Sequence, residues 1–260
     1  MLLAVPFGLA IGLAVGMLGG GGSVLAVPVL VYVLGQSVDQ ATTASLLVVA
    51  AGAVAGGLGH ARTGRVCWRH AGSFTLAALP GIAAGTAAAA AVGGSALLAA
   101  FALVMLAAAY ATWHKAGSED ADPEAGDTCP PLRLPRDLAA GAGIGLLTGF
   151  FGVGGGFLIV PTLAIGLAFT MRTAVGTSLA IITATSLLGF VTHVVAGRGL
   201  DAGLTLTMAA ACVIGALLGA AAATRVPQRV LGRSFAVMVV AVALYLLASV
   251  LLLGGPPGAE

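Results

Sequence analysis

A chain of 260 residues that is 59% apolar and only 8% charged cannot cover its own surface as a soluble domain, which carries roughly 25% charged residues. The composition leaves a polytopic membrane protein. A formal net charge of +2, with no basic stripe carrying interleaved aromatics, excludes a nucleic-acid partner.

Charges punctuate the chain at intervals. The uncharged runs are residues 1–38, 40–61, 71–113, 138–171, 173–197, 202–224 and 234–259. A bilayer-spanning helix needs about 20 apolar residues. Run 1–38 lacks the basic start of a signal peptide and is too long for one, so it reads as membrane-embedded sequence. Run 71–113 is long enough for two spans, with a turn at Val92-Gly93-Gly94-Ser95. Runs 1–38 and 138–171 are each too long for one span, and each is broken by glycines: Gly19-Gly20-Gly21-Gly22-Ser23 and Gly152-Val153-Gly154-Gly155-Gly156. Consecutive small residues hold a helix poorly, so each run predicts two short helices meeting at an unwound centre. The stretch from Lys115 to Asp137 collects Glu119, Asp120, Asp122, Glu124 and Asp127, and reads as a solvated linker. Cys67, Cys129 and Cys212 are far apart and form no pair motif; they are expected to be isolated small apolar residues, with neither a disulfide framework nor a metal site.

The two sides of the linker repeat each other. At an offset of 133 residues (149 − 16), the segment from Gly16 to Leu30 lies over Gly149 to Leu163 without a gap, and the register persists from Ser45–Ser178 through His60–His193 to Gly64-Arg65 over Gly197-Arg198. A biased composition produces chance Ala and Leu matches, but it does not place a proline, a serine, a histidine and eight glycines in register. The expected architecture is therefore all-α and integral to the membrane. It has about eight hydrophobic segments in two homologous four-segment halves, residues 1–115 and 137–260, joined by the linker 116–136. Internal repeats of this kind are the usual build of secondary transporters.

Basic loops orient the halves. Arg62, Arg65 and Arg69 follow the second element of the first half, whereas Arg225, Arg229 and Arg233 follow the third element of the second. If both loops are cytoplasmic, the halves are inverted and each glycine-broken segment is a re-entrant hairpin. If those segments cross fully, the halves are parallel. The charge distribution favours inversion, with Lys115 and Arg172 also inside.

The glycine turns are candidate anion sites. A helix start has amide hydrogens without intrahelical partners and a partial positive charge, and glycine lets a ligand reach bare backbone. The second short helices should start near Val24 and Phe157; twelve residues from Val24 rise roughly 18 Å, which puts the turns near mid-bilayer. The candidate substrate-binding residues are Gly19, Gly21, Gly22 and Ser23 in one half, and Gly152, Gly154, Gly155 and Gly156 in the other. The following helices add Ser45, Thr177 and Ser178. Close helix packing by small residues and hydroxyls bonded to their own backbone compete with that reading. His60 and His193 could carry protons or pack at the interface. Deep in the spans no acid or base is visible, and the nearest acids, Asp39 and Asp201, read as loop charges at span ends.

The Gly-x-x-Gly-x-Gly-Gly-x-x-Leu-x-Val-Pro-x-Leu segments starting at Gly16 and Gly149, the Ala174-Val-Gly-Thr177-Ser178-Leu179 stretch and the His-x-x-x-Gly ending at Gly64 and Gly197 resemble the TauE/SafE family of sulfite and organosulfonate exporters. The first half departs by reading Ala44-Ser45 where the second reads Thr177-Ser178. The resemblance implies a multi-pass protein of the bacterial plasma membrane, in contact with lipid, that exports a small sulfur-containing anion and needs no cofactor. Two other functions compete with this one. An intramembrane hydrolase could use Ser178 and His193, although fifteen residues of helix separate them by roughly 22 Å. A partner subunit without transport is the other, though the soluble tail that would favour it is absent from the sequence. No nucleotide-binding motif appears.

Overall fold

The computed structural model describes residues 3–89, 94–118, 129–151, 156–197 and 199–253, and these are helical with short connections. In the first half, α1 (Ala4–Leu18) leads through a 3₁₀ turn at Gly19–Gly22 into α2 (Ser23–Pro28), followed by α3 (Val38–Arg62), α4 (Trp68–Ala89) and α5 (Gly94–Ser118). The second half repeats the order as α6 (Leu134–Phe151), α7 (Gly156–Pro161), α8 (Met171–Val195), α9 (Ala202–Ala223) and α10 (Gln228–Leu253). Of the expected turn at 92–95, Val92 and Gly93 lie outside the described residues. Among the described residues, five helical stretches are long and apolar enough to cross a membrane.

The glycine-broken segments are not simple spans. Both short helices end in a proline, Pro28 and Pro161, and both continue as one π-helical turn, Val29–Val33 and Thr162–Gly166. A proline ring crowds the carbonyl four residues back, and a widened turn relieves that crowding. Helix starts are set by side chains that accept from backbone amides: Ser37 for α3, Thr170 for α8 and Asp201 for α9. Asp201 is therefore a cap as well as a span-end charge.

Helix directions follow from the glycine contacts. Gly8, Gly12 and Gly16 of α1 pack on the backbone of Met208, Cys212 and Ala216 of α9, so the two helices run parallel; Gly215 and Gly219 of α9 pack back onto Leu9 and Leu13. In the other half Gly141, Gly145 and Gly149 of α6 meet Phe74, Ala78 and Ile82 of α4, while Gly81 and Gly85 of α4 meet Ala142 and Leu146. Each half thus lends its first helix to the second crossing helix of the other, α1 to α9 and α6 to α4, at separations only glycine permits. Helices α3 and α8 cross antiparallel at the centre: Thr43 bonds His193, Leu46 meets Gly189, and His60 lies against Gly176.

These directions settle the topology. Helix α1 starts on the face where α9 starts. The chain returns to that face at the start of α3, where Gln40 lies beside Gly199 of the α8–α9 loop. Although 4–33 is long enough to cross as one run, it folds back as a re-entrant hairpin. Each half crosses three times, and the halves are inverted. Arg62, Arg65, Arg69, Lys115, Arg133, Arg136, Arg172, Arg225, Arg229 and Arg233 gather on one face, ten of the eleven Lys and Arg residues. Two contacts confirm that face: Arg172 donates to the Val226 carbonyl at 3.2 Å, and Arg233 stacks over Trp113 at 5.1 Å. Inversion has a direct check. Cysteines placed at the repeat-equivalent Ser37 and Thr170 should label from opposite sides with an impermeant maleimide, and Thr170→Cys should share its side with Gly64→Cys. Labelling of Ser37→Cys and Thr170→Cys from one side would contradict the fold.

The cysteines correct the sequence reading. Cys212 is a free, buried residue as expected, but Cys67 and Cys129, 62 residues apart, are joined by a disulfide. Cys67 immediately precedes α4 and Cys129 shortly precedes α6; those helices are parallel neighbours, so their starts, and the two sulfurs, share the arginine-rich face. Sequence spacing alone does not reveal that pairing.

Candidate functional site

The two hairpins meet inside the protein. Helix α1 ends at Gly19, whose φ of +73° suits glycine, and the chain reverses through Gly20–Gly22 so that Gly22 packs back on Val15 and Ile11. The turn is a 3₁₀ helix rather than open backbone. It runs directly into α2 at Ser23, one residue earlier than expected, and the Ser23 amide donates to the Gly20 and Gly21 carbonyls. The Gly19 amide donates to the Val15 carbonyl, so both ends of the turn are tied to backbone within the first hairpin.

Gly20 abuts the backbone of Gly156, which opens α7. Two hydroxyls flank this crossing. Ser23 Oγ donates to the Gly20 carbonyl at 2.6 Å and lies 2.8 Å from where a Cβ on Gly156 would stand. Ser178 Oγ donates to the Val175 carbonyl at 2.8 Å and lies 2.6 Å from the corresponding point on Gly19. Gly19, Gly21, Gly22, Ser23, Gly156 and Ser178 are all buried. Phe235 of α10 lies against Gly21, and Phe157, Phe101 and Phe151 stack beside the crossing with ring centroids 5.2–5.3 Å apart.

Other predicted positions fall elsewhere. Gly152, Gly154 and Gly155 lie outside the described residues. Ser45 donates to the Thr42 carbonyl at 2.8 Å. Thr177 Oγ1 accepts from the Cys67 amide at 3.1 Å and so caps the start of α4. His60, 1% exposed, donates from Nε2 to the Gly16 carbonyl at 3.1 Å, while His193 Nδ1 bonds Thr43 Oγ1 at 3.2 Å. The two histidines therefore hold different partners in the two halves. Ser178 and His193 each bond elsewhere, which leaves no nucleophile–base pair on α8.

Sequence reasoning missed three residues. Gly20 has Val153 as its repeat partner and so drew no attention. His70 is not singled out by the sequence and Asp137 only closes the polar linker stretch, yet they are 3% and 0% exposed and bond each other, Nδ1 to Oδ1, at 2.9 Å. Nothing in their spacing marks them, because the pairing depends on α4 and α6 lying side by side.

Comparison with known proteins agrees with this architecture. The model of the family described as "Sulfite exporter TauE/SafE" matches residues 4–246. Two proteins of Xylella fastidiosa, strains 9a5c and Temecula1, each named "Probable membrane transporter protein", are 34% identical over 253 residues, 95% of this chain and 95% of theirs. A Bacillus subtilis protein named "Probable membrane transporter protein YunE" is 42% identical over 55 residues, 21% of this chain and 20% of its own length. No solved structure matches. With a family model spanning nearly the whole chain and transporter relatives aligned end to end, the chain belongs to the TauE/SafE family of multi-pass membrane transporters rather than to a family of enzymes.

Proposed function

We propose that the protein exports a small anion, a sulfite or organosulfonate, by alternating access between its two inverted halves. The observation that carries this reading is the meeting of Gly20 and Gly156 inside the protein, flanked by Ser23 and Ser178. Glycine backbone that a ligand can approach closely, beside two hydroxyls that can turn from their own carbonyls toward it once the hairpins part, suits an oxyanion better than a cation. The family's description names sulfite, and the anion chemistry of the turns supports that class independently.

The crossing is packed shut in this arrangement, so a substrate needs the hairpins to part. Inverted halves supply that motion, since rocking one against the other exposes the centre first to one face and then to the other. The arginine bias assigns this face to the cytoplasm of a bacterial plasma membrane, where the Cys67–Cys129 bond stands against a reducing environment. A cationic mouth there would gather anions for export.

Reconstituted protein should exchange labelled sulfite or sulfoacetate, and flux should fall on replacing Gly21 and Gly22 together by valine. Undiminished flux in that variant would remove the site from the mechanism. A thermal-shift screen of sulfite, sulfate, sulfoacetate, taurine and carboxylates ranks the anions, because a bound ligand raises apparent stability by mass action.

A further inference from the structure

His70 sits in the first turn of α4 between two acceptors. Its Nδ1 lies 2.9 Å from Asp137 Oδ1 and its Nε2 lies 3.0 Å from the Pro130 carbonyl. A carbonyl only accepts, so Nε2 carries a hydrogen. The short contact at Nδ1 requires a second proton, either on the imidazole or on the carboxyl group. The pair therefore holds two protons and is neutral overall. Removing one leaves a net negative charge on a carboxylate that is 0% exposed and whose Oδ2 is buried without a protein partner. Burying such a charge costs free energy unless it is paired, so deprotonation favours an arrangement that opens the pair to water and to the arginines lining the cavity beside it.

The surroundings provide that water and a route for the proton. A cavity of about 170 Å³ is lined by His70, Asp137, Arg133, Arg136, Leu167 and Ala168 on the arginine-rich face. The charged groups that face the pair are Arg69 from α4, Arg133 from the segment before α6 and Arg136 from α6. The 167–169 segment contributes only Leu167, Ala168 and Phe169, and the cysteines at 67 and 129 are bonded to each other.

Position gives the pair mechanical reach. Asp137 stands at the start of α6, the incoming arm of the second hairpin. Phe169, at the end of that hairpin's return arm, stacks edge-on against the His70 ring at 5.0 Å. One titratable pair therefore clamps both ends of a hairpin whose tip region includes Gly156. The equivalents of Asp137 and His70 in the other half are Ala4 and Leu204, so the device exists at one mouth only.

We propose that His70 and Asp137 form a proton-binding site that couples protonation to movement of the second hairpin, making the proton the coupling ion of transport; the coupling rests on the transport reading above, whereas the proton site does not. Asp137→Asn keeps the shape and hydrogen-bonding capacity of the acid while removing its charge, and leaves His70 as the one ionisable member of the pair. Thermal stability of the purified protein, followed from about pH 5 to 8, counts protons bound on folding. The gap between wild type and Asp137→Asn should change with pH, and parallel curves would overturn the proton site. In proteoliposomes, accumulation of labelled sulfoacetate driven by a pH gradient should fall about tenfold in Asp137→Asn, with sulfoacetate exchange at equal pH kept within about twofold. Asp137→Asn accumulating anion like wild type would overturn the coupling. Wild type that exchanges neither sulfoacetate nor sulfite would instead strike the transport reading, and the stability curves would still judge the pair.

Discussion

Gly20→Val should abolish transport while Gly72→Ala leaves it intact. A side chain at Gly20 would overlap the Gly156 carbonyl and its backbone, which are parts of the opposing hairpin and not the movable end of a side chain. The hairpins must separate to accept it, at the roughly 1–3 kcal/mol typical of overpacking. Misplacing reacting or binding groups by about an ångström costs on the order of a hundredfold in rate, and a similar loss of flux per folded molecule is expected here. Gly156→Ala should cost less, because its closest contacts would be the Ser23 hydroxyl at 2.8 Å and an Ile182 methyl at 3.0 Å, which can turn away, and the Gly20 Cα stands at 3.1 Å rather than overlapping. Gly72 has nothing within 4 Å of the added carbon, so alanine there should be neutral or gain up to about 1 kcal/mol of helix propensity. Anion flux in proteoliposomes, normalised to monodisperse protein on size exclusion, separates these cases. Equal flux in Gly20→Val and wild type would place substrate passage elsewhere.

The second large effect concerns assembly. Gly145→Val in α6 should prevent stable folding, whereas Gly143→Val on the same helix should be tolerated. Gly145 packs directly on the Ala78 backbone of α4, while Gly143 has open space around it. Helices that approach this closely gain van der Waals contact along their whole length, and one branched side chain at the seam wedges them apart. The cost should reach or exceed the roughly 3 kcal/mol upper end of overpacking, enough to unfold a marginal protein. Yield of monodisperse protein and its thermal midpoint give the readout, and comparable midpoints for the two variants would refute the seam. Gly12→Val in α1 is the repeat-equivalent test against Cys212 of α9.

Much of this architecture was legible in the sequence because its constraints are written in residue types. Backbones that touch leave glycines in register, a reversal inside lipid leaves a glycine run, and bias in arginine positions leaves the orientation. The inverted halves, the hairpins and the burial of Gly19, Ser23 and Ser178 follow from those marks. What stayed hidden depends on which helices are neighbours. The Cys67–Cys129 bond and the His70–Asp137 pair both require α4 beside α6, a contact between halves that no local spacing encodes. Gly20 was obscured by the repeat itself, since its partner position holds Val153. Thr177 has a role that its motif does not announce: its oxygen accepts from the Cys67 amide at the start of α4.

The exchange of first helices between the halves bears on how such a protein is made. An isolated half would carry an orphaned α1 or α6 and an unfilled groove along its own α4 or α9. It could complete itself only against a second copy inserted upside down. A gene encoding one half alone would therefore have to tolerate both insertion orientations in a single membrane, with its arginines balanced accordingly. Fusion of two copies through a polar connector frees each to acquire its own charge bias, and with it features confined to one side, such as the acid–histidine pair beside α4.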